Sequence, residues 1–323
     1  MRSYKRKVGF TMAFSLHGVK LPHRKNTADM AAVRMTPPKS VNILMTMHIG
    51  KPATPVVKPG DHVDVGTLIG APDGKISAPV HSSVSGTVKG IDSVLLSNGS
   101  KGTAITIESD GEMTVCPDLC PPQIENKADF LKAVRDSGIV GLGGAGFPTD
   151  VKLGVDESKK IEYFIINGAE CEPYITSDNR TMIDNVEDME TAIDMIEKYL
   201  NVEKVIIAVE NNKKKAIAKM KGLAAKGKNR KVSVLPSVYP QGGEKVLIYH
   251  TVGRVVEEGC LPIDVGCVVC NCTTVAAIGK YNFLNLFLFS IIYSICIFFT
   301  NLILLFDFLY FKIDKKAEWE KLN

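Results

Sequence analysis

Apolar and polar positions follow two rhythms along this chain. Up to about residue 110, short alternating runs are broken every few positions by glycine, proline or serine. Examples are Pro55-Val-Val-Lys58, Val63-Asp-Val-Gly66, Thr67-Leu-Ile-Gly70 and Val84-Ser-Gly-Thr-Val-Lys89. Thr103-Ala-Ile-Thr-Ile-Glu108 reads as a complete strand, so this part predicts a small all-β unit. From Lys127 the period lengthens. Asp129–Ser137 puts Phe130, Leu131 and Val134 on one helical face, and Val186–Leu200 does the same with Met189, Ile193, Ile196 and Leu200. Between and after them come strands at Ile161–Asn167, Val202–Val209 and Lys231–Leu235, helices at Lys213–Ala225 and Glu244–Thr251, and a buried strand over Val265–Cys272. Alternating strands and helices predict an α/β domain. Such domains bind ligands outside the carboxyl ends of their strands, where Asn167 falls.

The chain therefore divides into a β unit with its N-terminal segment (1–114), a linker with Pro117, Pro121 and Pro122 (115–127), an α/β domain (128–280) and a hydrophobic tail (281–323). A net charge of +4 over 323 residues argues against a dedicated nucleic-acid binder. The basic start Met1–Lys7 has no apolar stretch after it, and the 8 cysteines are irregularly spaced, so free thiols in a reducing compartment are expected. Residues 211–231 hold nine Lys or Arg and no acid. They read either as a docking face for an acidic partner or headgroups, or as a solvated helix face and basic loop.

The most telling run is Gly141-Leu-Gly-Gly-Ala-Gly-Phe-Pro-Thr-Asp-Val-Lys152. Its glycines allow the backbone N–H groups to press on a flat or anionic ligand. Phe147 supplies a ring for stacking and Lys152 a cation. The preceding segment is a helix, so the run is no dinucleotide fingerprint of the strand-turn-helix kind. Glu170 and Glu172 flank Cys171 at a strand end, placed either to accept from ribose hydroxyls and amides or to sit in solvent. Cys260, Cys267, Cys270 and Cys272 suggest soft-metal spacing. On one strand, however, Cys267 opposes Cys270 and Cys272, and three thiols do not converge. Buried free thiols rather than a metal site are expected there, and incidental thiols at Cys116 and Cys120 in the linker.

Gly141–Lys152 resembles the flavin loop of the FMN- and NADH-binding subunit of respiratory complex I. In the same order, Asn167-Gly-Ala-Glu-Cys-Glu-Pro173, Tyr239-Pro-Gln-Gly-Gly-Glu-Lys245 and Asn271-Cys-Thr-Thr274 resemble that family's second, third and fourth flavin segments. The wording of the second and third, and the start His17-Gly-Val-Lys-Leu-Pro-His-Arg-Lys25, resemble the RnfC family of the Rnf ion-translocating electron transport complex. The resemblance covers residues 12–280. Pro59–Gly70 with Ala78–Val88 resembles the lipoyl/biotinyl barrel-sandwich hybrid. Lys75, the nearest lysine to a carrier position, lacks the flanking methionines of a biotin site. The implied fold is a multidomain α+β and α/β chain, a barrel-sandwich hybrid followed by an incomplete FMN-binding α/β domain of the complex I flavoprotein type.

Carried over residue by residue, the resemblance implies that Gly141, Gly143 and Gly144 press backbone against FMN and Lys152 pairs with phosphate or a ring oxygen. It implies that Asn167 and Glu170 hydrogen-bond the flavin, and that Glu172 and Phe147 face the nicotinamide nucleotide. Gly242, Gly243 and Glu244 would close the far wall, and Asn271 and Thr274 would hold the phosphate end. No protein side chain is expected to be catalytic itself, since the cofactor supplies the chemistry. Ala169 and Gly243 stand where complex I usually has acids. The implied function is an enzyme subunit that oxidises NADH through FMN and passes electrons toward ferredoxin, coupled to Na⁺ or H⁺ transport. Its partners would be NADH and the other Rnf subunits, at the cytoplasmic face of the membrane. Three alternatives stay open: a non-catalytic membrane-tethered module, a lipoate or biotin carrier, and an electron-transfer protein of the proline reductase-associated type.

The uncharged run 281–306 is rich in Phe, Leu and Ile and exceeds the roughly 20 apolar residues of a bilayer crossing. Read alone, it is a C-terminal transmembrane helix. The resemblance instead implies a ferredoxin-like continuation holding two [4Fe–4S] clusters, whose Cys-x-x-Cys-x-x-Cys-x-x-x-Cys-Pro pattern the chain lacks. The tail is therefore expected to replace that region, through a frameshift, rearrangement or truncated gene.

Overall fold

A computed structural model describes residues 18–284 of the protein. The alternating runs of the first part form seven strands: β1 (Ser40–Leu44), β2 (Thr54–Pro55), β3 (His62–Val63), β4 (Leu68–Ala71), β5 (Val80–His81), β6 (Gly86–Leu95) and β7 (Lys101–Ser109). They make two antiparallel sheets, ordered β1-β7-β6-β3 and β2-β4-β5. Inward positions of both sheets meet in a core of Ile43, Met45, Ile69, Val88, Ile105 and Ile107. This is the expected barrel-like β sandwich.

The second part runs α1 (Lys127–Asp136), α2 (Thr149–Leu153), β8 (Tyr163–Gly168), α3 (Ser177–Asp184), α4 (Val186–Leu200), β9 (Lys204–Glu210), α5 (Lys214–Ala224), β10 (Arg230–Leu235), α6 (Glu244–Val252), β11 (Cys267–Asn271) and α7 (Cys272–Leu284). Its four strands are all parallel, in the order β10-β9-β8-β11. Both faces of the sheet are covered, which is why the strands read as unbroken apolar runs. Phe164, Ile166, Val205, Ile207 and Cys270 pack with Phe130 and with apolar residues of α4, α5 and α7. Ile165, Ile206, Ala208, Cys267 and Val269 pack under Leu247 and Ile248 of α6. At Gly279, α7 crosses α4 so closely that an added methyl would run into the Asp188 carbonyl.

One expectation needs correction. The strand expected over Val265–Cys272 ends at Asn271, and Cys272 opens α7. The reason is local: Asn271 Oδ1 accepts from the N–H groups of Thr273 at 2.8 Å and Thr274 at 3.3 Å, capping a helix start. The N-terminal segment also packs on the α/β domain. Val19 exchanges a pair of backbone hydrogen bonds with Tyr239, each 2.8 Å. Finally, the expected transmembrane helix at 281–306 lies, from residue 285 on, outside the described residues. Among the described residues no helix is long and apolar enough to cross a membrane.

The two domains touch beside the glycine run. Ile49 donates its N–H to the Gly146 carbonyl at 3.1 Å. Gly146 holds φ +69°, and a Cβ there would sit 3.1 Å from the Met47 carbonyl oxygen. A loop of the β sandwich thus backs the loop 141–146, and only glycine fits the contact.

Candidate functional site

From β8 the chain steps to β9 and β10 on one side, then returns to place β11 on the other. The strand order reverses between β8 and β11, and the carboxyl ends of the strands at such a reversal are where open parallel sheets form a ligand crevice. Asn167 and Asn271 are register partners at that point. All four sequence segments singled out above converge on it.

The glycine run reaches it from one side. Leu142 donates its N–H to Thr274 Oγ1 at 3.0 Å, and Gly143 rests on Asn271, whose Nδ2 would lie 2.7 Å from an added Cβ. Gly141 closes the loop by donating to the Phe147 carbonyl at 2.9 Å, leaving the Phe147 ring half-buried at the exit. At Gly144 a Cβ would meet nothing within 4 Å. The exposed Gly143, Gly144 and Ala145 donate no backbone hydrogen bond of ordinary geometry to the described residues.

Lys152, from α2, donates to the Val269 carbonyl at 2.8 Å and to Glu244 Oε1 at 2.9 Å. Burial pulls its ammonium down, but Cys270 and Glu244 outweigh this and raise its pKa. Lys152 stays a cation at neutral pH. Asn167 donates from Nδ2 to the Gly242 carbonyl at 2.9 Å and accepts from the Ala169 N–H at 3.1 Å. Gly242 has to be glycine, because a Cβ would lie 2.6 Å from the Ala169 carbonyl oxygen. Gly243 caps α6 with extended backbone, and Glu244 occupies its first turn. The N-termini of α6 and α7 both lie at this end of the sheet with their partial positive charge, the first N–H groups of α7 being taken by Asn271.

Glu170 departs from expectation. It was to hydrogen-bond a flavin, yet it is 2% exposed and turned to the interior. Its Oε1 accepts from the Asp178 N–H at 2.7 Å, and its Oε2 has no hydrogen-bond partner among the described residues. The ammonium groups of Lys25 and Lys213 lie 3.5 and 3.7 Å from Oε2. Lys213 also pairs with fully buried Glu210 at 2.7 Å. Burial, then the charge of Asp178, push the Glu170 carboxyl up to about 8 against the pull of the two lysines. Glu172, in the same loop, remains half-buried.

Sequence reading missed Asp178. Its carboxylate accepts from Asn271 Nδ2 and from Thr273 Oγ1, each at 2.9 Å, tying the start of α3 to the start of α7. Asn271 is thereby committed to structure on both ends of its amide. No local pattern marks Asp178, since its partners lie over 90 positions away. The four cysteines of the second constellation divide between the two core faces: Cys267 on one, with Cys260 packed against that face, and Cys270 and Cys272 on the other. Among the described residues, no group of three or more His, Cys, Asp or Glu is placed to hold a metal ion.

This arrangement fits a phosphorylated planar cofactor. Space above Gly144, backbone donors of the glycine loop without a partner among the described residues, the positive ends of α6 and α7 and a lysine lie at one end of the sheet.

Several known proteins resemble this chain. The chain matches the RnfC barrel sandwich hybrid domain over residues 14–112 and the Nuo51 FMN-binding domain over residues 134–280. It is 41% identical over 267 residues to the RnfC component of the Na(+)-translocating ferredoxin:NAD(+) oxidoreductase complex of Acetobacterium woodii, covering 81% of this chain and 60% of that one. It is 42% identical over 261 residues to the counterpart in the proton-translocating complex of Clostridium ljungdahlii, covering 79% and 56%. With the corresponding component of the ion-translocating oxidoreductase complex of Pseudomonas aeruginosa it shares 37% over 269 residues, covering 81% and 34%. The chain thus spans between about a third and three fifths of these relatives' lengths. Among solved structures, an NAD+-reducing [NiFe]-hydrogenase overlays on 50% of this chain and 31% of its own, with a TM-score of 0.42 and 23% identity.

Proposed function

The chain belongs to the RnfC family of ion-translocating oxidoreductase subunits, and from that membership we propose that it binds FMN and NADH in the crevice between β8 and β11. Its relatives' names describe ferredoxin:NAD(+) oxidoreductase complexes that translocate Na⁺ or protons. On this reading the chain works with the other subunits of such a complex, peripheral at the cytoplasmic face of the membrane. It takes electrons from NADH and passes them toward ferredoxin.

One observation carries the reading: four segments far apart in sequence meet at the topological switch point of a parallel sheet. Bound FMN would supply the conversion between a two-electron hydride donor and one-electron acceptors. The chain's own residues have narrower tasks. Gly143 and Gly144 bring backbone donors close, Lys152 and the start of α7 supply positive potential for phosphate, and Asn167 fixes the floor through Gly242. Phe147 and Glu172 flank the side open to a nicotinamide nucleotide. Glu170 contributes from beneath rather than by direct contact.

The test is spectroscopic. The full chain, incubated with FMN and desalted, is expected to retain flavin absorbance and to bleach on anaerobic addition of NADH. A chain that retains no flavin overturns the proposal.

A further inference from the structure

The loop 169–176 carries Glu170, Cys171 and Glu172 but belongs to no helix or strand. Something else has to hold it. The structure assigns that task to Lys25. Its Nζ lies 2.6 Å from the Glu170 carbonyl oxygen, 3.0 Å from that of Glu172 and 2.7 Å from that of Ile175. An ammonium has three donors and no acceptor, so this tripod uses every one. The Lys25 side chain is only 11% exposed.

The surrounding strap reinforces it. Arg24 donates its N–H to the Pro173 carbonyl at 3.1 Å, the hydroxyls of Thr27 and Thr176 meet at 2.7 Å, and Asn179 Nδ2 donates to the Ala28 carbonyl at 3.2 Å. From the opposite side Lys213 reaches the same Glu170 carbonyl at 3.1 Å. The loop is gripped between two cations that come from segments remote in sequence.

We propose that Lys25 is a positioning residue: residues 18–30 form a strap whose ammonium tripod fixes the acidic loop, and with it the place of Glu172 beside the nicotinamide nucleotide. This rests on the reading above, in which Glu172 faces that nucleotide. Small displacements of such a support are costly to binding, because the contact must be held to within about half an ångström. Arginine cannot replace the lysine, since its planar fork does not aim three donors at three carbonyls around one point.

The experiment uses the full chain loaded with FMN. It compares the wild type with Lys25→Met, Lys25→Arg and Asp29→Ala, the last removing only an exposed pair between Asp29 and Lys215 on the same strap. Stopped-flow bleaching gives NADH affinity and limiting rate separately, and hydrogen exchange of the flavin-free protein reports on loop amides. For Lys25→Met, exchange at 170–176 is expected to rise at least tenfold and NADH affinity to fall about tenfold, or ~1.4 kcal/mol. FMN affinity and limiting rate should stay within about twofold of wild type, since their contacts lie elsewhere. Lys25→Arg should fail to restore NADH affinity, and Asp29→Ala should match wild type.

If Lys25→Met does not accumulate as folded protein, Thr27→Val, which removes one hydroxyl at nearly constant volume, should show a smaller change of the same kind. Unchanged NADH affinity in a wild-type-like flavoprotein, or exchange that rises evenly across the whole domain, overturns the proposal. A wild-type chain that retains no FMN overturns the functional reading first and this inference with it.

Discussion

Adjacent glycines 143 and 144 give opposite expectations under the same substitution. At Gly143 an alanine methyl would lie 2.7 Å from Asn271 Nδ2 and 2.9 Å from its Cβ and Cγ. Asn271 would have to move, and its side chain holds the cap of α7 and the link to Asp178. Losing a cap costs about 1 kcal/mol and losing a hydrogen bond to a carboxylate about 1.5 kcal/mol or more. Gly143→Ala is therefore expected to lower stability by about 2–3 kcal/mol. That is a melting temperature lower by roughly 4–12 °C for a domain of this size. At Gly144 the methyl meets nothing within 4 Å and the backbone is not left-handed. Gly144→Ala should leave the flavin-free protein as stable as wild type, or slightly more so. If the open space above Gly144 is the cofactor cradle, the same methyl crowds the bound flavin. Overpacking of about 1–3 kcal/mol then weakens FMN by about tenfold to a hundredfold. Thermal melts of flavin-free protein and quenching of FMN fluorescence measure the two quantities independently. Wild-type FMN affinity in Gly144→Ala would refute the cradle; a wild-type melt in Gly143→Ala would refute the role given to Asn271.

Other expectations follow from single contacts. Glu170 has its carboxyl pushed up to about 8 in the folded chain, among Asp178, Glu210, Lys25 and Lys213. A raised acid keeps its proton in the folded state while the unfolded chain has lost it, so stability falls as pH rises from about 4.5 to about 8. Glu170→Gln should flatten that slope in urea melts, and an unchanged slope would assign it to other groups. Lys152→Met removes a half-exposed pair with Glu244 and a bond to the Val269 carbonyl. It should cost about 1 kcal/mol of stability but weaken FMN by tenfold or more, read by fluorescence titration. Gly279→Ala should destabilise the α/β domain by about 1–3 kcal/mol or prevent its folding, because α7 cannot withdraw from α4 without opening the core. A variant that melts like wild type would show that the helices have room to part.

The sequence alone was enough for the periodic elements, because burial on one side leaves a local mark. Val186–Leu200 is legible from its spacing, and so are Phe130 and Val134 on α1 and the unbroken apolar run of β8. The glycine run and the order of the four segments were legible as well. Tertiary structure decided which strands are neighbours. Nothing near Cys267–Asn271 announces that it pairs with β8 rather than with β10, the preceding strand, yet that choice sets Asn271 beside Asn167. It also decided which polar groups are used up inside. Glu170 and Glu172 look alike in sequence, but the first is buried in the interior, with Lys25, 145 positions away, and Lys213 lying against it. Hydrophobic period is a property of neighbouring residues and can be read along the chain. The pairing of a buried charge depends on groups brought together only by folding, so it is absent from any local pattern.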